Sequence, residues 1–228
     1  MFGAVFYPTR LSRHFLRQAL MANLITIARV VLLFVAIGFI YRLSIASELI
    51  ALALVAGVIL LDWIDGVVAR RSGHADETGA VLDILADRIV ENSLWIVFAD
   101  IGLIPVWIPL VVLVRGLATD ALRALALRRG MTPFGERTMM RSRLGRALVV
   151  SRTSRAAYAV AKFLAFSFLI LLLAASAGFD RGAGLGGALG SLSWMYTLGL
   201  VFAYTAVALC LVRGIPVILD GWTLLRKS

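Results

Sequence analysis

Between residues 22 and 214 the chain repeatedly offers long apolar runs with few charges, and that pattern leaves little choice of fold. A run of roughly 20 apolar residues crosses the hydrocarbon core of a bilayer as a helix. There the backbone can satisfy its own hydrogen bonds only within a helix or a closed barrel. Six runs are expected as spans, at 22–42, 46–70, 79–101, 104–127, 156–178 and 191–214, and no stretch reads as a strand. The expected fold class is all-α, an integral membrane bundle of six transmembrane helices preceded by an N-terminal amphipathic helix in the interface. Residues 1–21 would be that juxtamembrane helix and residues 22–228 one membrane domain. Composition agrees: 61% of residues are hydrophobic and 16% charged, with a mean hydropathy of +0.93. A soluble domain holds only about 45–50% apolar residues even with glycine counted. No long polar segment suggests a second domain, and nothing before the first span resembles a cleavable signal peptide.

The surplus of basic over acidic residues, 23 against 13, follows the loops rather than a nucleic-acid face. Arg10, Arg13 and Arg17 precede the first span, and Arg70 and Arg71 begin the link between spans two and three. Arg128, Arg129, Arg137, Arg141, Arg143, Arg146 and Arg152 lie between spans four and five, and Arg226 and Lys227 close the chain. With six spans all of these fall on one side, while the opposite loops hold little beyond Arg42 and Arg181. Both termini are therefore expected in the cytoplasm, with Trp107 and Trp194 near the outer interface.

In "TRLSRHFLRQAL" the three arginines share one helical face and Leu11, Phe15 and Ala19 another, as in a basic helix lying on a membrane. The glycine-rich "DRGAGLGGALGSLSW" reads as a flexible outer loop, although Gly182, Gly186 and Gly190 also repeat at a helix-packing interval. Cys210 stands alone, which excludes an intramolecular disulfide and a thiolate cluster. His14 and His74 form no zinc set or Ser-His-Asp arrangement.

Against this background, "LDWIDGVVARRSGHADETGAVLDILADRIVEN" (61–92) places Asp62, Asp65, Asp83 and Asp87 within apolar helical sequence. An ionised carboxylate in a low-dielectric interior costs several kcal/mol unless a positive charge meets it. At about 100° per residue, Asp62, Gly66 and Ala69 lie within roughly 60° of one another, with Asp65 beside them and Arg70 one turn past Gly66. One face thus carries carboxylates beside almost no side-chain bulk. Gly79, Asp83 and Asp87 stand at i, i+4 and i+8 on the next span. The short link makes the two spans antiparallel neighbours, so both faces can build one pocket near their cytoplasmic ends. Four carboxylates without His or Cys select a hard cation, Mg²⁺ or Mn²⁺, and two ions would balance four charges. Such ions usually share their shell with substrate phosphate, and Arg70 would add a fixed positive charge for the same anion. Displacement at phosphorus is the chemistry these residues suggest.

The residues Asp62, Asp65, Gly66, Ala69, Arg70, Gly79, Asp83 and Asp87 reproduce D-x2-D-G-x2-A-R-x8-G-x3-D-x3-D with every gap kept. In this the chain resembles the CDP-alcohol phosphotransferase (CDP-alcohol phosphatidyltransferase) family. "NLITIARVVLL" and "VRGLATDALRALALRRG" are similar to the first and fourth spans of its bacterial phosphatidylglycerophosphate synthases. The resemblance implies six helices after an amphipathic one, a homodimer, and a place in a bacterial inner membrane with the active site toward the cytoplasm. It implies attack by a hydroxyl acceptor on the β-phosphorus of a CDP-linked alcohol such as CDP-diacylglycerol, with CMP leaving. Asp62, Asp65, Asp83 and Asp87 would hold two Mg²⁺ or Mn²⁺ ions, and Asp87 would also be the general base. Asp62, Gly66, Ala69, Arg70 and Gly79 would receive the CDP moiety.

For the acceptor, glycerol 3-phosphate is the first expectation, with inositol phosphate or another polar alcohol as the alternative. Arg115, Arg123, Arg152 and Arg155 fall where a cytoplasmic pocket could hold an acceptor phosphate, or where they could merely anchor the chain inside. "SRTSRAAYAVAK" stands where many relatives show Lys-x-Lys-Thr with a later Gln, and the "GMTPFGERTMMRSRLG" insert is longer than theirs. A UbiA-type prenyltransferase would also use aspartates and Mg²⁺ but has more spans and no D-G-x-x-A-R run. A divalent-cation transporter would have no need of Gly66, Ala69 and Arg70 beside its carboxylates.

Overall fold

The computed structural model describes the backbone of residues 10–42, 44–72, 77–128, 130, 145, 148–149, 151–177 and 192–225. Side chains are described over 23–42, 44–62, 79, 81–128, 130, 145, 148–149, 151, 153–177 and 192–222. Within these residues the long elements are all helices: α1 (Arg10–Ile40), α2 (Ile45–Ser72), α3 (Glu77–Asp100), α4 (Trp107–Arg128), α5 (Arg152–Ser176) and α6 (Ser193–Leu225). Four contain a segment long and apolar enough to cross a membrane: Asn23–Ile40, Ile45–Asp62, Thr153–Ser176 and Ser193–Trp222. The other two helices carry charges along much of their length. Asp83, Asp87, Arg88 and Glu91 lie along α3, and Arg115, Asp120, Arg123 and Arg128 along α4.

Two differences from the sequence expectation stand out. No break separates an N-terminal helix from the first span, because α1 runs without interruption from Arg10 to Ile40. The sequence supplies no glycine or proline there before Gly38, so nothing ends the helix at residue 21. The side chains of Arg10, Arg13 and Arg17 lie outside the described residues, as do the glycine-rich segment 178–191 and the insert at 131–144. The sixth span was expected to end at 214, yet α6 continues to Leu225 through Pro216.

The chain divides into two compact units. The first comprises Met1–Tyr41 and Ile50–Glu91. Here α1 buries Arg29, Leu33, Ala36 and Ile40, a stripe at helical spacing, and leaves Leu24, Ile27, Val31, Phe34 and Val35 on its outer surface. Such apolar exposure suits a helix whose solvent is lipid. On α2 the buried stripe is Ala51, Val55 and Val58.

The second unit comprises Arg42–Leu49 and Asn92–Ser228, in which α6 packs on both α4 and α5. Aromatic pairs join its helices, with Trp95 and Phe166 buried and Trp107 and Tyr204 on the outer surface. Trp95 meets Phe166 edge-on with ring centroids 4.9 Å apart, Phe168 meets Phe202 at 5.1 Å, and Trp107 stacks on Tyr204 at 6.0 Å. A turn stops α3: Gly102 takes φ +84°, its N–H bonds to Ala99 O, and the Leu103 N–H reaches back to Phe98 O at 2.9 Å. That left-handed position is one glycine adopts without steric cost. At the start of α5, Ser151 Oγ accepts the Ser154 N–H as an N-cap. Gly214 and Gly221 lie two turns apart on α6 and bring it against α4, where added Cβ atoms would strike Arg115 and Leu122.

Candidate active site

The aspartates on α2 and α3 meet, as the antiparallel reading of the two spans requires. One carboxylate oxygen each from Asp62, Asp83 and Asp87 lies within 4.8 Å of the others. Asp62 falls in the C-terminal half of α2, and Asp83 and Asp87 in the N-terminal half of α3 at i and i+4, one above the other. Their side chains are about half exposed, at 45%, 48% and 56%, so the cluster opens outward rather than lying sealed in the interior. Gly79 is partly buried on the first turn of α3. Asp65, Gly66, Ala69 and Arg70 lie on α2, but their side chains are outside the described residues.

Arg29 on α1, to which the sequence reading gave no role, holds this cluster together. Its Nη1 pairs with Asp62 Oδ1, while its Nη2 donates to Asp83 Oδ1 and to Asp87 Oδ1, each at 3.1 Å. The guanidinium side chain is 1% exposed, and its planar fork can address several carboxylates where a point-like ammonium could not. A signal for it was present in the sequence: an arginine inside an apolar run is costly and marks a site by default. Replacing Arg29 with Ala removes the shared cation from three carboxylates. Thermal unfolding in detergent should show a loss of about 1–3 kcal/mol, discounted because the carboxylates are half solvated, with Arg29→Lys intermediate. Unfolding unchanged in Arg29→Ala would show that the pairing is not held in solution.

The donor set fits a hard divalent cation. Among the described residues the anionic groups that converge are all carboxylates, and the Arg29 guanidinium offsets only part of their charge. Glu91, one turn beyond Asp87, is buried and pairs with Arg88 Nη1 at 3.5 Å.

A second polar centre lies in the other unit. Arg115 on α4 and Arg213 on α6 place their guanidinium carbons 5.9 and 5.8 Å from the centroid of the Tyr158 ring on α5, and Lys162 Nζ lies 4.6 Å from it. Arg115 and Arg213 are both buried, and Arg213 Nη1 donates to Ser154 O at 2.9 Å. Arg115, Arg123 and Arg155 all lie near enough for their charges to act on Arg213. Three of the four arginines singled out in the sequence thus converge on one that was not. Arg123 also pairs with Asp120 at 3.7 Å, Arg155 is exposed, and the side chain of Arg152 lies outside the described residues. Two buried guanidinium groups beside further positive charge, of which Arg123 has a carboxylate partner in Asp120, make a place that favours an anion.

The sequence profile of the CDP-alcohol phosphatidyltransferase family matches residues 19–212. Over 120 residues, 51% of this chain, there is 32% identity to two Mycobacterium tuberculosis proteins named probable phosphatidylglycerophosphate synthase. Over 88 residues, 36% of the chain, there is 34% identity to a Bacillus subtilis protein named CDP-diacylglycerol–glycerol-3-phosphate 3-phosphatidyltransferase. The chain spans 57% of the length of the mycobacterial relatives and 46% of the bacillar one.

Proposed function

The chain belongs to the CDP-alcohol phosphatidyltransferase family, and from that premise we propose that it transfers a phosphatidyl group from CDP-diacylglycerol to the hydroxyl of glycerol 3-phosphate, releasing CMP. The observation that carries this reading is the convergence of Asp62, Asp83 and Asp87, three of the aspartates in the family's motif spacing. In the reaction the acceptor oxygen forms a bond to the lipid-side phosphorus, the bond from that phosphorus to the CMP oxygen breaks, and CMP departs with the bonding pair. Asp87, on the α3 face it shares with Asp83, takes the acceptor proton. Asp62, Asp65, Asp83 and Asp87 would hold two Mg²⁺ or Mn²⁺ ions, which when bound neutralise the diphosphate and the departing CMP. Asp62 with Gly66, Ala69, Arg70 and Gly79 forms the bed for the CDP moiety, where the small residues let the nucleotide approach the backbone. Arg29 keeps Asp62, Asp83 and Asp87 aligned before and during turnover.

Arg115, with Arg213 and Tyr158 beside it, is assigned to the phosphate of the acceptor; Arg123 and Arg155 add positive charge around it, and Arg152 is grouped with them on its place in the sequence. The names carried by the mycobacterial and bacillar relatives favour glycerol 3-phosphate over inositol phosphate. A panel of acceptors, with CMP release from CDP-diacylglycerol as the readout, tests that choice. Turnover with inositol phosphate but not with glycerol 3-phosphate would reverse it.

The protein acts in this reading as a multi-pass membrane homodimer with its termini and active site toward the cytoplasm, α3 and α4 completing six spans. Their lengths allow it. At 1.5 Å per residue the 22 residues of α4 reach about 33 Å and the 24 of α3 about 36 Å, against a core of about 30 Å. The charges of α4 begin at Arg115 and gather toward Arg128, the end assigned to the cytoplasm. A cysteine replacing exposed Val106 should react with an impermeant thiol reagent only from outside, and one replacing Arg128 only from the cytoplasm. The native Cys210 is buried and gives little background. Labelling of both from the same side would remove α4 from the spans. The N-terminal part of α1 is assigned to the interface.

A further inference from the structure

Gly214 lies well inside α6, where glycine weakens a helix relative to alanine. Its surroundings give the reason for its presence. A Cβ at 214 would lie 2.5 Å from Arg115 Nε, 2.6 Å from its Cγ and 3.1 Å from its Cδ, closer than a carbon atom can sit without displacing that side chain. The long side chain of Arg115 therefore runs across bare α6 backbone to bring its guanidinium over Tyr158. Arg115 is only 9% exposed, and its Nε has no hydrogen-bond partner among the described residues. Shape, at the one position on α6 that lacks a Cβ beside it, directs the cation toward the ring it shares with Arg213.

We infer that Gly214 is a positioning residue: by lacking a side chain it admits Arg115 to the face of Tyr158, and so sets the affinity of the site for the acceptor's phosphate. This rests on the assignment of Arg115 to that phosphate. Gly221, two turns along the same helix, provides the control, because the three atoms nearest a Cβ there all belong to Leu122, the closest at 2.8 Å.

The test is steady-state kinetics on the full-length protein in detergent, with glycerol 3-phosphate and CDP-diacylglycerol varied in turn. Gly214→Ala should raise KM for glycerol 3-phosphate by about tenfold or more, the scale of one charge-assisted hydrogen bond, and leave KM for CDP-diacylglycerol within about twofold. Arg115→Ala should do the same, and adding Gly214→Ala to Arg115→Ala should change nothing further, because the atoms it would displace are gone. Gly221→Ala should not raise KM for glycerol 3-phosphate. Additive effects of the two substitutions, an equal rise in both KM values, or an equal rise in Gly221→Ala would each overturn the inference. If Gly214→Ala does not fold, the double variant decides: recovery of a folded protein locates the clash at Arg115 as inferred, and failure to recover overturns it. Should Arg115→Ala instead raise KM for CDP-diacylglycerol, with Gly214→Ala following it non-additively, the positioning role stands and the acceptor assignment falls.

Discussion

Asp87→Asn should retain substantial binding of CDP in the presence of Mg²⁺ while CMP release falls by about 10² to 10⁴, the contribution of a positioned general base. An amide oxygen can still coordinate weakly and accept Arg29's hydrogen bond, now made at 3.1 Å, but it cannot take the acceptor's proton. Asp62→Asn supplies the contrast. Asp62 lies on α2 with the residues assigned to the nucleotide, so its amide should weaken metal and CDP binding together. Equilibrium CDP affinity and CMP release, measured side by side on both variants, separate the roles. Equal loss of nucleotide binding in the two would make Asp87 chiefly a ligand, with Glu91 the next base to test, although its pairing with Arg88 and its burial count against it. Near-normal turnover in Asp87→Asn would refute the mechanism and leave the family membership untouched.

Removal of divalent cations should have an effect as large. Three carboxylate oxygens within 4.8 Å repel one another, and the Arg29 guanidinium between them offsets only part of that charge. EDTA should abolish CMP release, and excess Mg²⁺ or Mn²⁺ should restore it. Titration of Mn²⁺ against the protein, followed directly as bound metal, should lose at least one site in Asp62→Asn. Full activity in chelator would exclude the metal reading of the cluster.

Much of this site could be read without coordinates because its chemistry conflicts with its setting. Asp62, Asp83 and Asp87 are visible in the sequence as carboxylates that an apolar helix cannot hold alone, and helical spacing is enough to place Asp83 and Asp87 on one face. The short link to α2 then makes Asp62 their neighbour. Arg29 escapes the same reasoning because which face of α1 meets α2 and α3 is a tertiary fact, although its cost in an apolar run was legible. Arg213 was hidden for a related reason. Followed by Gly214 and Pro216, it reads as the end of a span, yet α6 carries on to Leu225 and buries it. The role of Gly214 could not have been read at all, since it depends on a side chain 99 positions earlier in the sequence lying across it. Glu48, fully buried at the start of α2, has no part in the mechanism.

The central claim is that the aspartate site directs attack to the lipid-side phosphorus of a CDP-lipid. Its most direct test uses CDP-diacylglycerol carrying ³²P in that phosphate alone, incubated with the purified protein, Mg²⁺ and glycerol 3-phosphate. The account predicts that the label passes quantitatively into a new acidic lipid, and that the CMP released in equal amount is unlabelled. Label recovered with the nucleotide, or CMP released without labelled lipid product, would contradict it.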